Sequence, residues 1–337
     1  MSVNYLYIIL FFFNFLFIFY FKKISLFLNI FDIPDYKRKI HSKKIACIGG
    51  LLIFFNLFFY FSYFFIFQDL NLVSKFTFLS YKEFVFFIIF SSFFLTFGIL
   101  DDKYVLNSNY KFFIVLLALY LLVYLDNSIL IKIINFSFSN NSISIEPFSI
   151  FFTILCFLLF INAFNMFDGI NLQSSIYSLF FLIIFFIKGV YSELCIVLAI
   201  PLIFFLYLNY KNKCFLGNGG SLLLAYIISF MSIKSANSFN IFKADEIFLM
   251  MLIPGLDLVR LAFYRILKRR HPFSADKNHI HHILINKYNH IKTLIILIML
   301  IFIPNFFSIF LGYTLEATVV SIIAYLLIIF NLNKFIK

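Results

Sequence analysis

Apolar residues fall in blocks of roughly 14–23, and short polar stretches separate the blocks. The pattern predicts eleven candidate membrane spans, at 4–21, 45–67, 84–100, 112–125, 148–165, 174–187, 193–209, 221–233, 246–264, 292–311 and 317–332. The fourth, sixth and eighth are short. One segment breaks the pattern: residues 131–148, IKIINFSFSNNSISIEPF, alternate apolar and polar positions about Asn140-Asn141. That alternation predicts a small β-hairpin outside the membrane. No internal repeat points to the inverted halves of a transporter. The expected fold is a single domain over 1–337, an all-α integral membrane protein with about 10–11 transmembrane helices.

Charge orients these spans. The first apolar run, Tyr5–Phe21, has no basic residue before it, whereas Lys22 and Lys23 follow directly. This polarity predicts an uncleaved helix with its N-terminus outside. Segments 22–44, 101–111, 166–173, 210–220, 265–291 and 333–337 then face the cytoplasm. Twenty-one of the 27 Lys and Arg fall in or beside those segments, and six fall outside. The asymmetry obeys the positive-inside rule. All six histidines and seven of the ten aspartates share the cytoplasmic side, while all five glutamates lie at outer ends. A passive anchor has no reason for that sorting. The chemistry is expected on the cytoplasmic face.

Composition adds two exclusions. The chain is 63% hydrophobic and 12% charged, too apolar for a water-soluble domain of 337 residues. Its net charge of +12 needs only topology and anionic lipid headgroups, so no nucleic-acid partner is expected. The four cysteines, Cys47, Cys156, Cys195 and Cys214, show no paired spacing and read as small core residues.

Four polar stretches carry candidate chemistry. Asp101 and Asp102, in GILDDKY, stand at a helix C-terminus, where two carboxylates meet the negative end of the dipole unless a cation is near. Mg2+, or Mn2+ in its place, takes such oxygen ligands; two solvated acids at a helix stop are the plainer reading. Asn162, Asn165 and Asp168, in INAFNMFDGI, recur every three residues and share a broad helix face. Such a face could hold a nucleotide, a sugar or a metal-bound water, and Asp168-Gly169 also makes an ordinary turn. FLGNGGS places Gly217 and Asn218 ahead of a helix whose bare N–H groups could hold an anion, or form only a turn. RILKRRHPFSADKNHIHHIL is the densest: His279, His281 and His282, with Arg265, Lys268, Arg269 and Arg270, could bind a diphosphate or an anionic lipid head. Its histidine spacing, without cysteine, does not suit zinc.

These stretches, in this order, together with DIPDYKRKIH at 32–41, resemble the polyprenyl-phosphate N-acetylhexosamine-1-phosphate transferases. The resemblance runs from residue 32 to 284. It implies that the phosphate of a polyprenyl carrier, undecaprenyl phosphate, attacks the β-phosphorus of a UDP-N-acetylhexosamine and that UMP leaves. The product would be the first lipid-linked intermediate of an envelope glycan such as O-antigen lipopolysaccharide. It further implies a bacterial inner-membrane enzyme, active toward the cytoplasm, with a homodimer as one arrangement. By that likeness Asp101, Asp102 and Asp168 would be catalytic and, with Asn218, would hold the metal. Asn162, Asn165, Gly217, Arg265, His279, His281 and His282 would bind substrate. Whether an aspartate forms a covalent intermediate or the lipid attacks directly stays open.

Two positions depart from the family pattern. Many relatives carry aspartate where this chain has Asn218, and DGIDGL where it reads DGINLQ, with Asn171 in place of the acid. Asn can offer a carbonyl oxygen to a metal but no charge, so weaker metal binding or a different sugar preference is expected. The nearest rival is the phospho-MurNAc-pentapeptide transferase of peptidoglycan synthesis. A transporter or flippase is the rival from another class, and it should show more ionisable groups at mid-helix than Asp257 alone.

Overall fold

The computed structural model describes residues 3–34, 43–67, 78, 80–270, 272 and 278–333. Arg38, Lys39 and His41, from the basic stretch before the second span, lie outside the described residues. Thirteen α-helices are present among those described: α1 (Val3–Phe19), α2 (Phe21–Leu28), α3 (Gly49–Phe67), α4 (Tyr81–Tyr104), α5 (Ser108–Leu125), α6 (Ser149–Phe167), α7 (Gln173–Ile187), α8 (Ser192–Tyr210), α9 (Gly217–Asn237), α10 (Ala244–Leu267), α11 (Ile280–Lys287), α12 (His290–Leu311) and α13 (Thr314–Asn333). Nine are long and apolar enough to cross a membrane, or ten if α1 and α2, bent by 73°, count as one. α7 is a shorter apolar helix. The protein is therefore a multi-pass, all-helical membrane protein, and each of the eleven apolar runs is a helix.

The chain divides into two compact units. The first comprises Met1–Asn107 and Ser174–Met231. In it α8 packs on α1 and α3, and α3 packs on α4. α2 falls at the start of the 22–44 segment assigned to the cytoplasmic face. It turns away from α1 at Tyr20 because its apolar residues alternate with Lys22, Lys23 and Ser25, an amphipathic pattern that cannot continue through lipid. Two short antiparallel strands, β1 (Phe31–Asp32) and β2 (Ile45–Ala46), pair Phe31 with Ala46 and Asp32 with Ile45. Ala46 also bridges Cys214, whose carbonyl accepts from the buried Asn209 side chain at 2.8 Å. This knot of backbone ties the start of α3 to the start of α9.

α9 is 94% buried along its span, against 50% or less for the other eight. Its mean hydropathy, 1.3, is the lowest of the nine. A helix surrounded by protein can carry Gly217, Gly219, Gly220, Ser221, Ser229, Ser232 and Ser235, which allow close approach instead of facing lipid. A Cβ on Gly50 would lie 2.4 Å from the Gly220 nitrogen, and one on Gly98 would lie 2.5 Å from the Asn218 backbone. α3 and α4 thus both touch the first turn of α9 through glycine.

The second unit comprises Ser108–Gln173 and Ser232–Lys337. In it α10 packs against α6, α12 and α13, and α12 packs on α13. The hairpin forms as expected: β3 (Ile133–Ile134) pairs with β4 (Ile143–Ser144) in antiparallel register. It is fastened to the start of α10, where Asp245 accepts from the Ser137 N–H at 2.9 Å and Ala244 N–H donates to Asn135 at 2.9 Å.

Candidate functional site

The candidate residues fall into two sets, one within each unit. In the first unit α4 runs through both aspartates before ending at Val105, which caps it in the left-handed region at φ 50°. Asp101 is buried and Asp102 half-buried. Asp101 Oδ1 accepts from the Leu106 N–H at 3.0 Å, closing the chain back over the helix end. Its other oxygen accepts from the Asn218 side-chain amide at 2.9 Å. Asp102 accepts from the backbone N–H groups of Asn218 at 3.0 Å and Gly219 at 3.3 Å.

The first N–H groups of α9 therefore hold an anion, and that anion is the carboxylate of Asp102. The positive end of one helix dipole meets the acids that the negative end of another would repel. Gly217 makes this fit possible. Its φ is +73°, and a Cβ there would lie 2.6 Å from Asp102 Oδ2. Asp32, half-buried on β1, is near enough to Asp102 to act on it electrostatically, a relationship its place in the sequence did not reveal.

These residues suit a hard divalent ion. The carboxylates of Asp101 and Asp102 and the side-chain carbonyl of Asn218 offer oxygen donors. Among the described residues no three His, Cys, Asp or Glu side chains form a ready cage.

In the second unit the centre is Asp257, on α10 and 3% exposed. Its carboxylate accepts from His279 Nδ1 at 2.9 Å, Arg260 at 2.7 Å, Tyr325 at 2.9 Å and the Ile280 N–H at 3.2 Å. Arg260 also donates to the Tyr325 hydroxyl at 2.8 Å and to the Asn278 carbonyl at 2.6 Å. Asp257 thus caps α11, whose own preceding residue, His279, makes no side-chain cap. A carboxylate can only accept, so Nδ1 of His279 carries its proton and Nε2 faces Arg265 at 3.5 Å. Arg265 itself is buried and donates to the Pro272 carbonyl at 2.6 Å.

The three histidines have different surroundings. His279 is locked between Asp257 and Arg265. His281 is 1% exposed and brings its Nε2 against Gly169, where a Cβ would come within 1.9 Å of that nitrogen. Burial, with His282 and His279 beside it, pushes the His281 pKa well below the usual histidine value, so it is neutral. His282 is the half-exposed member. The Asp168-Gly169 turn and the histidine segment, more than 100 residues apart, are therefore one local structure.

Asp168 is half-buried and ends α6, its N–H donating to Phe164. Asn165 is half-buried too. The amide of Asn162 donates to its own helix at Leu158, 2.7 Å away. Lys268, Arg269 and Arg270 are exposed. Sequence reasoning noted Asp257 as an isolated acid in an apolar helix and did not connect it to His279. An ionisable residue inside a span was the available signal.

A helical membrane protein with an acidic pair on a helix N-terminus and a cationic, imidazole-rich segment on a buried carboxylate has the parts of an enzyme that handles phosphate. Comparison with known proteins gives the class. Residues 84–236 match the glycosyl transferase family 4. The undecaprenyl-phosphate alpha-N-acetylglucosaminyl 1-phosphate transferase of Thermotoga maritima is 29% identical over 274 residues, 79% of this chain and 77% of that protein. The enzyme of the same name from Escherichia coli (strain K12) is 23% identical over 288 residues, 82% of this chain and 74% of that protein. This chain is a sugar-phosphate transferase of the membrane. Its likeness to glycosyl transferase family 4 covers residues 84–236, a little under half of the chain.

Proposed function

We propose that the protein transfers N-acetylhexosamine-1-phosphate from a UDP-sugar to undecaprenyl phosphate at the cytoplasmic face of the inner membrane. A lipid phosphate oxygen bonds to the β-phosphorus, the bond from that phosphorus to the α-phosphate oxygen breaks, and UMP leaves. The product opens the assembly of a lipid-linked envelope glycan. Relatives named for undecaprenyl phosphate and N-acetylglucosamine support both reactants. The observation that carries the reading is the acidic pair of α4 seated on the N–H groups of α9.

In this reading Asp101 and Asp102 would hold Mg2+, with the Asn218 carbonyl as a third oxygen, and a bound Mg2+ would offset phosphate charge. Asp102 Oδ2, held by a long bond to Gly219 at 3.3 Å, is the oxygen best placed to take the proton of the lipid phosphate. Asp168 and the neighbouring asparagines position the donor, and His282 meets its diphosphate from the fixed platform of His279 and His281. The fixed arrangement matters because both reactants are anions and little covalent work falls to the protein.

The experiment is release of UMP by membranes containing the protein, given undecaprenyl phosphate, Mg2+ and UDP-GlcNAc, UDP-GalNAc or UDP-MurNAc-pentapeptide. Turnover with a simple N-acetylhexosamine donor is expected. No turnover with any donor, beside a working control enzyme, sinks the proposal, and turnover with the pentapeptide donor alone moves it to peptidoglycan.

A further inference from the structure

The turn that follows α6 leads into a buried polar side chain. Gln173, the first residue of α7, is 3% exposed, yet among the described residues neither its amide nitrogen nor its carbonyl oxygen has a hydrogen-bond partner. His281, whose Nε2 meets this turn at Gly169, is buried with its other ring nitrogen, Nδ1, also without a hydrogen-bond partner among the described residues. Buried polar groups are normally bonded, and an orphan signals an absent water, ion or ligand. A leucine would fill the same space without that penalty.

The turn is also held in an uncommon shape. Leu172 has φ +72°, a region that non-glycine residues rarely occupy. Backbone bonds from Gly169 to Phe167 and from Gln173 to Ile170 fix it there. Strain retained beside unpaired polar atoms is a mark of ligand sites.

We propose that Gln173 is a donor-specificity residue whose carboxamide pairs with an amide edge, an N–H beside a C=O, on the nucleotide sugar. The inference rests on the transferase reading above. The carboxamide presents one donor group and one acceptor, and a cis amide, with N–H and C=O on one edge, answers both. The uracil ring of the donor carries such an edge; its N-acetyl amide is trans, with N–H and C=O on opposite sides, and answers one of the two. The lipid acceptor offers phosphate oxygens alone, which leave the glutamine carbonyl unmet. A site built to hydrogen-bond its substrate also rejects analogues lacking the group more strongly than an apolar pocket does.

The test is Gln173→Leu, with Gln173→Met as a second variant of matching length, each in the full-length protein in detergent. Melting temperature is read beside kinetics with UDP-GlcNAc and UDP-glucose and inhibition by UMP. The expected result is an unchanged or raised melting temperature with a KM for UDP-GlcNAc higher by about tenfold or more. If the partner is the acetyl group, met through one hydrogen bond, UDP-glucose and UMP are unaffected. If it is uracil, all three weaken together. A lower melting temperature with unchanged KM in both variants overturns the proposal and assigns the amide to a buried water. An inactive parent protein instead sinks the transferase reading, which this comparison keeps separate.

Discussion

Asp257 and His279 lie 22 residues apart in the chain and 2.9 Å apart in the fold, carboxylate to Nδ1. The contact explains why an apolar helix carries an acid. Asp257→Ala would leave a guanidinium, a phenol, an imidazole and a backbone N–H without their acceptor. Removing one partner of a buried ion pair costs on the order of 3–5 kcal/mol. Tyr325→Phe, which deletes one hydroxyl, should cost about 0.5–1.5 kcal/mol. Thermal unfolding in detergent should rank the two in that order; equal effects would mean that Asp257 is not the centre of the network.

Glycine at the helix crossings gives a contrast within one protein. Gly50→Ala drives a methyl into the Gly220 backbone, so it should destabilise by about 1–3 kcal/mol and lower the yield of folded protein. Gly255→Ala, in α10 with open space around it, should be neutral or stabilising by roughly 0.5–1 kcal/mol. Fluorescence-detected gel filtration after heating separates them.

Asn218→Asp replaces an amide donor 2.9 Å from Asp101 with a third carboxylate. Without divalent ions the variant should melt below the parent, through repulsion among the acids. With Mg2+ it should gain more in melting temperature than the parent does, and its activity should saturate at lower Mg2+. Superimposable titrations for the two proteins would remove residue 218 from the metal's surroundings.

Neutral His281 has a pH consequence. Its folded pKa lies well below the reference 6.5, so below that pH the unfolded chain takes up a proton that the folded protein refuses. Stability is therefore complete above about 6.5 and falls as the solution is acidified, by at most about 1.4 kcal/mol per pH unit from this group. His281→Phe keeps an aromatic ring beside Gly169 without the titration. Its melting temperature should fall less steeply between about pH 6.5 and 5.

Helices and hairpin were legible because lipid and strand alternation impose strong periodicities on local sequence. Every apolar run became a helix, within a few residues at most ends. The eighth run extended furthest, from an expected 221–233 to Gly217–Asn237, because burial inside protein relaxed the demand for apolar residues. What stayed hidden was long-range. Nothing local announces that Ala46 bridges Cys214, that His281 needs the bare face of Gly169, or that Asp257 caps a helix two dozen residues on. The glycine run reads locally as an anion site or a turn, and its N–H groups hold the Asp102 carboxylate, a match made only in three dimensions.

The low hydropathy of α9 bears on how the protein is made. A segment so rich in glycine and serine partitions weakly into bare lipid when it leaves the ribosome. Its surroundings must already be standing, so α3 and α4, which meet its first turn, have to be seated first and receive it as a template. Truncating the gene before residue 217 should therefore leave a stable membrane fragment, whereas α9 expressed without its predecessors should fail to integrate.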